Sequence, residues 1–352
     1  MRVPTKQLAF VVASTALVAA CGSSSSTSST NAAGSSSAGS AQPVSLKIMV
    51  GGLNKQIYLP NMLAQRLGYF KEQNLDITLV DEASGQSAEQ ELLAGNVDAA
   101  SGSYNHTQEL QPKGKFIETV VQLQLAPGEA EVLKADESGS VKSAADLRGK
   151  NLGVTELGSG THTLTMAILG RQGITSDQVH FIPVGAGSTF IAAMQQGKID
   201  AGMTTEPTIS HVTGTGLGKV LIDLRTPQTT RAALGGDYPF ISVFMSSDYV
   251  NSHKDVVQRL VNAYVKTLKY IASHTAPQIT EQMPADYYSA DKAAYVTALD
   301  NQKASFTPDG RMPAAGPQTV NDIETKYVPS MKGTSVELSK TFTNEFASKA
   351  TA

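Results

Sequence analysis

The chain has 352 residues, of which 41% are hydrophobic and 17% are charged, and its formal net charge is -3 at pH 7. This composition is typical of a globular protein, and the length is sufficient for two domains of ordinary size. Because the sequence has neither an excess of basic charge nor a basic, aromatic-rich patch, it argues against binding to nucleic acid.

The first 20 residues have the pattern of a secretory signal. Arg2 and Lys6 form a short basic segment, and an apolar run, LAFVVASTALVAA, follows at residues 8–20. A membrane-spanning helix needs about 20 residues, so this run is too short to cross a bilayer and fits a cleaved signal. The next residue, Cys21, is the only cysteine of the sequence. The segment resembles the lipobox of bacterial lipoproteins, which implies lipidation of Cys21; an ordinary signal with an incidental cysteine is the alternative.

Residues 22–43 are rich in Ser, Gly and Ala and contain no large apolar side chain. Such a segment cannot offset the entropy lost on ordering, so we predict a flexible tether from the lipidated Cys21 to a folded part that starts near Val44. The expected location is extracytoplasmic, either periplasmic or at the cell surface, with the lipid as the only contact with the membrane.

Two parts of the remaining sequence repeat the same order of patterns. Residues 95–99 (GNVDA) are echoed by residues 197–201 (GKIDA), and each run follows a helix-like segment. Earlier in each part, a helical pattern that ends in Leu-Gly lies between two strand-like patterns, which occupy residues 45–50 and 75–80 in the first part and 151–155 and 179–184 in the second. We interpret the echo as the duplication of a βαβαβ unit.

Strands that alternate with helices of about ten residues predict parallel sheets with helices on their faces, so each unit should form a lobe of ordinary domain size. Residues 251–274 have apolar side chains at helical spacing, and three further helical patterns follow them. The predicted fold class is α/β: two similar βαβαβ lobes with a ligand cleft between them, plus a helical C-terminal region packed on the first lobe.

Open parallel α/β sheets bind ligands beyond the carboxyl ends of their strands, near helix N-termini. This rule selects four loops, at residues 51–60, 101–108, 155–163 and 204–207, which are rich in Gly and in uncharged polar side chains. The candidate ligand-binding residues, taken from these loops together with one tyrosine before the last crossing of the chain, are Asn54, Gln56, Ser103, Tyr104, Asn105, Ser159, Gly160, Thr161, His162, Thr205, Glu206 and Tyr238.

The third loop is the most specific of the four. Its run GSGTH, at residues 158–162, opens a helix and should leave unpaired backbone N–H groups at the positive end of the helix dipole. With the Ser159 and Thr161 hydroxyls, this end could bind an anionic group; a well-capped helix without a ligand is the alternative. The spacing lacks the last glycine of a dinucleotide-binding fingerprint.

No catalytic or metal-binding motif is present. The sequence has no His-Glu-x-x-His, no Gly-x-Ser-x-Gly and no Walker loop, and its six histidines are scattered without metal-ligand spacing. We therefore predict a binding protein that is not an enzyme and that needs neither a metal nor another cofactor.

Four runs of sequence, in this order, resemble the sulfonate/nitrate/taurine and thiamine-pyrimidine binding family, whose members are solute receptors of ABC importers. The runs are LAQRLGYFKEQNLDITLV at 63–80, LLAGNVDAASGSYN at 92–105, SAADLRGKNLGVTELGSGTHT at 143–163 and MQQGKIDAGMTTEP at 194–207. The resemblance implies the type II periplasmic-binding-protein fold, with lobe 1 formed by residues 44–128 and 241–352 and lobe 2 by residues 129–240. It also implies a monomer that closes around a small-molecule solute and delivers it to an ABC permease in the cytoplasmic membrane.

The chain departs from this family in two respects. The family often has an aromatic residue, commonly Trp, before its Glu-Pro dipeptide, whereas this chain has Thr205 there and no Trp at all. A platform for a flat ring is therefore less obvious, although Tyr58, Tyr104 or Tyr238 could replace it. The cysteine-rich motif of the pyrimidine-synthesising branch has no counterpart here, which argues against that activity.

We expect the solute to be a small organic anion, such as an alkanesulfonate or a taurine-like zwitterion. Hydroxyl-rich loops supply neutral donors, and none of the four loops contains Arg, the common bidentate partner of a carboxylate. Glu206 would suit an ammonium group of the solute, and Lys55 or Arg231 could also reach the cleft. An aromatic acid or a pyrimidine is the alternative solute, and a ligand-sensing receptor with a signalling partner is the alternative function.

Overall fold

The computed structural model describes residues 42–288 and 291–351. The predicted signal, Cys21 and all but the last two residues of the predicted tether lie outside the described residues. From Gln42 to Ala352 the chain forms one compact unit. No helix among the described residues has both the length and the apolar character that crossing a bilayer requires.

Ten strands and fourteen α-helices are formed by the described residues. The strands are β1 (Val44–Val50), β2 (Leu75–Asp81), β3 (Ala99–Ser103), β4 (Ile117–Gln122), β5 (Glu129–Lys134), β6 (Asn151–Val154), β7 (His180–Pro183), β8 (Ala201–Thr205), β9 (Gly218–Leu224) and β10 (Ile241–Ser246). The α-helices are α1 (Leu59–Arg66), α2 (Tyr69–Glu72), α3 (Gly85–Leu93), α4 (Asn105–Leu110), α5 (Gly160–Arg171), α6 (Ser188–Gln195), α7 (Thr208–Gly214), α8 (Pro227–Leu234), α9 (Ser247–Ser252), α10 (Lys254–Ser273), α11 (Ala276–Thr280), α12 (Lys292–Gln302), α13 (Gly316–Tyr327) and α14 (Glu345–Ser348).

The strands form two five-stranded sheets with matching topology. The first sheet has the order β2-β1-β3-β10-β4 and the second has the order β7-β6-β8-β5-β9. We call the first sheet with α1 to α4 the first lobe, and the second sheet with α5 to α8 the second lobe. The strand-by-strand correspondence confirms the predicted pair of α/β lobes.

Both sheets are mixed, although the repeated pattern predicted parallel ones. In the first sheet β1 runs parallel to β2 and β3, whereas β10 is antiparallel to β3 and β4. In the second sheet β6 runs parallel to β7 and β8, whereas β5 is antiparallel to β8 and β9. The reversed strand of each sheet is the first strand after the chain crosses from the other lobe, so it enters the sheet from the opposite end.

The aspartates of the two echoed runs form equivalent hydrogen bonds in the two lobes. The Asp98 carboxylate accepts a hydrogen bond from the backbone N–H of Lys47 at 2.7 Å, and the Asp200 carboxylate accepts one from Asn151 at 2.8 Å. Each aspartate also donates its own backbone N–H to the carbonyl oxygen of the same partner, at 3.0 and 2.8 Å. These paired bonds hold the start of β3 beside β1 and the start of β8 beside β6, so the echo reflects a structural constraint.

The C-terminal helices pack on the first lobe, as predicted, and two of them also contact the second lobe. Helix α10 packs on α1 and α2, as expected from its apolar stripe. Helix α12, however, contacts α7, and α13 contacts α5 of the second lobe. The physical reason is a small apolar cluster in which Met166 of α5 is buried against Val328 and Met331, just after α13.

Several carboxyl groups are buried in this core. The Glu131 carboxylate on β5 accepts a hydrogen bond from the Thr165 hydroxyl of α5 at 3.3 Å, and burial raises the pKa of Glu131 to about 8. The Glu324 carboxyl on α13 accepts a hydrogen bond from the Tyr238 hydroxyl at 2.8 Å, and burial together with the nearby Glu109 raises the pKa of Glu324 well above its ordinary value. The Glu131 carboxyl group is therefore mostly protonated in the folded protein at neutral pH.

We predict that the free energy of unfolding falls as the pH rises from about 4.5 to about 8. In the unfolded chain Glu131 loses its proton near its ordinary pKa of 4.5, whereas in the folded chain it keeps the proton until about pH 8. The unfolded state therefore binds fewer protons across this window, which lowers stability by up to about 1.4 kcal/mol per pH unit for each such group.

Urea unfolding of the wild type and of E131Q at pH 5.5 and pH 7.5 tests this prediction. The E131Q variant cannot ionise at this position, so its stability should fall less between the two pH values. D76N, at an exposed position of β2, is the control and should behave as the wild type does. An equal fall in E131Q and the wild type would contradict the prediction.

Candidate functional site

A small cavity lies between the two lobes, where the carboxyl ends of β1, β3, β6 and β8 face each other. Its volume is about 20 Å³, which is room for about one water molecule. We call it the inner cavity. Its lining comes from both lobes and from the crossing segment: Lys55, Ile57, Tyr58, Ser84, Gly85, Ser103, Glu129, Thr155, Ser159, Gly160, Thr161, Thr205 and Phe240.

A larger groove of about 1090 Å³, which we call the outer cleft, also lies between the lobes. It shares Lys55 and Thr155 with the inner cavity, so these two residues stand where the two spaces meet. The acidic residues of its lining outnumber the basic ones: Asp81, Glu82, Glu156 and Asp286 against Lys55 and Lys198. A solute that reaches the inner cavity through the outer cleft therefore passes an acidic surface.

The first turn of α5 forms one wall of the inner cavity. A Cβ atom on Gly160 would lie 2.5 Å from the Phe240 ring and 2.9 Å from the Ser103 hydroxyl, so only glycine allows the helix to approach the first lobe this closely. The neighbouring hydroxyls are engaged locally: Thr161 accepts the backbone N–H of Thr155 at 2.9 Å, and Ser159 donates to the Glu156 carbonyl at 2.7 Å. The loop is therefore ordered before any ligand arrives.

Lys55 is a partly buried cation at the junction of the two spaces. Its ammonium group donates hydrogen bonds to the carbonyl oxygens of Gly51 and Ala83, both at 2.7 Å. Burial lowers the pKa of Lys55 to about 8, although Glu129 and the other nearby carboxylates act in the opposite direction. Two of the three N–H bonds of the ammonium are thus directed at backbone carbonyls, and the third is available for a ligand.

Glu129, the first residue of β5, brings a carboxyl group into the same cavity. Its side chain is 3% exposed, and its Oε2 atom has no hydrogen-bond partner among the described residues. Burial raises the pKa of Glu129 to about 8, with Lys55 lowering it and Glu131 raising it further. The inner cavity is therefore lined by one partly buried amine and one buried carboxyl group.

Hydrogen bonds cross the seam between the lobes. The Glu156 carboxylate of the second lobe accepts from the hydroxyls of Ser84 and Ser87 on the first lobe, the latter at 2.8 Å. The backbone N–H of Gln56 donates to the Glu206 carbonyl across the same seam at 3.1 Å. The structure is accordingly a closed arrangement of the two lobes.

Five of the candidate residues line the inner cavity and one lines the outer cleft. Those in the inner cavity are Ser103, Ser159, Gly160, Thr161 and Thr205, and the one in the outer cleft is Asn54. Gln56 lies beside them, with its amide donating to the Tyr295 carbonyl at 2.8 Å.

The other candidates make contacts within the protein. The Tyr104 hydroxyl lies 2.6 Å from the Thr341 hydroxyl, the Asn105 amide donates to Glu109 at 2.6 Å, and Tyr238 donates to Glu324. The ring of His162 accepts the backbone N–H of Gly158 at 2.9 Å and packs edge-on against Phe181.

Glu206 does not offer a free carboxylate for an ammonium group. One of its oxygens accepts from the Arg225 guanidinium at 2.9 Å, and the other accepts the backbone N–H of Ser210 in α7, also at 2.9 Å. Arg231, which could have reached the cleft, pairs with Asp237 at 2.7 Å. No group of three or more metal-ligating side chains is found in the part of the chain that the structure describes.

Four residues of the inner cavity, Ser84, Gly85, Glu129 and Phe240, lie outside the four loops selected from the sequence. A signal for Glu129 was present, because Glu129 and Glu131 alternate with apolar residues in a strand whose only other polar residue is Lys134 at its end. Carboxyl groups at alternate positions share one face of a strand, and a buried charged residue needs a structural or functional partner. For Phe240 no sequence signal distinguishes a cavity residue from an ordinary core residue.

Comparisons with known proteins agree with this architecture. A solved structure from Bordetella bronchiseptica RB50 is 31% identical, covers 88% of this chain and 97% of its own, and superimposes with a TM-score of 0.83. The alkanesulfonate-binding protein SsuA from Xanthomonas axonopodis pv. citri, bound to MOPS, is 17% identical with a TM-score of 0.68, over 86% of this chain and 99% of its own.

A yeast enzyme matches a smaller part of the chain. The 4-amino-5-hydroxymethyl-2-methylpyrimidine phosphate synthase THI13 from Saccharomyces cerevisiae is 29% identical over 150 residues, which are 42% of this chain and 42% of the synthase. The NMT1/THI5-like family model matches residues 57–277, which is more than half of the chain. The chain has the fold of the periplasmic solute-binding proteins and belongs to the NMT1/THI5-like family.

Proposed function

We propose that the protein is the solute receptor of an ABC importer, which binds a small organic acid in the inner cavity and delivers it to a membrane permease. The observation that carries this proposal is the position of the cavity, since residues of both lobes line it and the seam around it is closed by hydrogen bonds. A cavity of about 20 Å³ is too small for an organic solute. Binding therefore requires the lobes to open and then to close around the solute with a wider gap between them than in this structure, as hinge bending allows.

The favoured solute is an aminosulfonate of the taurine type. The N-terminus of α5 and the Lys55 ammonium offer donors to a sulfonate group, and the cavity contains no arginine. The acidic outer cleft disfavours a solute that is only negative, so a zwitterion fits better than a simple anion. MOPS, the compound bound to the Xanthomonas protein, is itself a zwitterionic aminosulfonate.

An aromatic acid or a pyrimidine is the second candidate solute. It is supported by the ring of Phe240 and that of Tyr58, which both line the inner cavity and could contact a flat ring. We propose binding without catalysis, because the similarity to the yeast synthase covers less than half of either chain and no catalytic motif is present in the sequence.

A sensory receptor would have the same fold and cavity but a different partner. Genes for a permease and an ATPase beside the gene for this protein would favour transport, whereas a histidine kinase gene would favour sensing. The Ser- and Gly-rich segment at residues 22–43 suits either role, since it would allow the binding unit to reach a membrane partner.

We predict that Cys21→Ser releases the protein from the membrane. The variant lacks the thiol that would carry the lipid, and the rest of the tether has no large apolar side chain that could hold the protein on the membrane. Fractionation of cells that produce the wild type or the variant measures the distribution, with Ser24→Ala as the matched control. A variant that remains in the membrane fraction as the wild type does would contradict lipid anchoring.

We predict that Lys55→Met weakens solute binding at least about tenfold, because the sulfonate loses a charged hydrogen bond in a buried site. A thermal-shift screen of sulfonates, aromatic acids and pyrimidines first identifies a solute, since a hundredfold excess over Kd stabilises the fold by about 2.7 kcal/mol. Calorimetric titration then compares Lys55→Met with Lys115→Met, an exposed control. A screen without any hit, or equal affinities of the two variants, would count against the proposed site.

We predict that Glu156→Gln shifts the lobes toward an open arrangement. The variant weakens the charged hydrogen bonds to Ser84 and Ser87 that cross the seam, and a smaller closed population lowers the apparent affinity, on the order of tenfold. Small-angle X-ray scattering should give a larger radius of gyration for the unliganded variant than for the wild type or the D76N control. Identical scattering of all three would contradict a latch at Glu156.

A further inference from the structure

We propose that Glu129 selects the solute by accepting a hydrogen bond from a protonated nitrogen, so that the inner cavity binds an amino-bearing sulfonate in preference to the corresponding simple sulfonate. The assignment rests on the proposed solute-receptor function and names the group that recognises the cationic end of the solute. Glu129 takes the role that the sequence suggested for Glu206, whose carboxylate already accepts hydrogen bonds from Arg225 and from the backbone N–H of Ser210.

The first argument is the unmet hydrogen-bonding capacity of Glu129. Its side chain is 97% buried and lines the inner cavity, and its Oε2 atom has no partner among residues 42–288 and 291–351. A buried acceptor that is left without a donor costs about 1–3 kcal/mol, and more when it is charged. A donor group of the solute would form a hydrogen bond with this acceptor. The unpaired atom therefore destabilises the protein without solute and favours a solute that carries a donor.

The second argument is electrostatic. The ionisable groups that interact electrostatically with Glu129 include the ammonium of Lys55, the carboxyl of Glu131 and the hydroxyls of Tyr58 and Tyr238. Lys55 directs two of its donors at the backbone carbonyls of Gly51 and Ala83. Burial raises the pKa of Glu129 to about 8 despite this lysine, so the protein alone compensates the carboxylate charge incompletely.

An ammonium group in the cavity would supply the missing compensation. It would favour the ionised form of Glu129, so binding near pH 7 should release a proton from this carboxyl group to the solvent. The sulfonate of the same molecule would lie toward Lys55 and the N-terminus of α5. A solute with opposite charges at its two ends thus matches the partly buried amine and the buried carboxyl group of the cavity.

Glu131 provides the matched control. It lies two residues along β5 on the same face of the strand and is also fully buried, and its Oε1 atom likewise has no partner among the described residues. Its other oxygen accepts a hydrogen bond from Thr165, and it does not line the inner cavity, so a solute in that cavity would reach Glu129 and not Glu131. A general effect of removing a buried acid from β5 would appear in both glutamine variants. An effect on solute selection would appear only in the Glu129 variant.

The test is calorimetric titration of taurine and of ethanesulfonate, which differ only in the ammonium group, into the wild type, E129Q and E131Q at pH 7. The wild type and E131Q should bind taurine at least about tenfold more tightly than ethanesulfonate, and E129Q should lose this preference. Titrations in two buffers of different ionisation enthalpy measure the protons released on taurine binding. The wild type should release a proton, E131Q should release nearly as much, and E129Q should release none. If E129Q does not fold, E129D, with the carboxyl withdrawn by one methylene, should show a reduced preference.

The possible failures are distinguishable. Equal binding of the two sulfonates to the wild type, or an unchanged preference in E129Q, would overturn the role of Glu129 and leave the receptor function intact. Binding of neither sulfonate to the wild type would refute the aminosulfonate solute class, and the assignment of Glu129 with it.

Discussion

The close approach of α5 to the first lobe is the constraint on which the rest of the site depends. A Cβ atom on Gly160 would lie 2.5 Å from the Phe240 ring, so the first turn of the helix can meet the opposite lobe only because this residue is glycine. The approach brings the positive end of the helix, Lys55 and Glu129 to one small cavity. Without it, the polar groups of the two lobes would face water, where each hydrogen bond contributes far less to selectivity.

The charges of the site then explain which solutes fit. A partly buried lysine and a buried carboxyl group share the inner cavity, and an acidic outer cleft leads to it. Such a site would disfavour ligands that carry only one sign of charge, since one of the two groups would remain uncompensated. The Glu156 carboxylate accepts hydrogen bonds from Ser84 and Ser87 of the opposite lobe, and under the proposed function these bonds would link solute binding to lobe closure.

Much of the fold could be predicted because the repeated runs report local, periodic constraints. The aspartates at 98 and 200 hold equivalent strands together, so their echo marked the two lobes correctly. The reversed strands and the contacts of α12 and α13 with the second lobe depend on where the chain returns after a crossing, which local patterns do not encode. The sequence does not show contacts between residues that are far apart along the chain. The Arg225 guanidinium binds the Glu206 carboxylate, and the fold brings Lys55 close enough to Glu129 to affect its pKa.

The most direct test of the central claim is a crystal structure of the protein grown with taurine. The account predicts that taurine lies in the inner cavity, with its sulfonate against Lys55 and the first turn of α5 and its nitrogen about 3 Å from the Glu129 carboxylate. Taurine bound in the outer cleft with Glu129 unengaged, or bound with the sulfonate against Glu129, would contradict it.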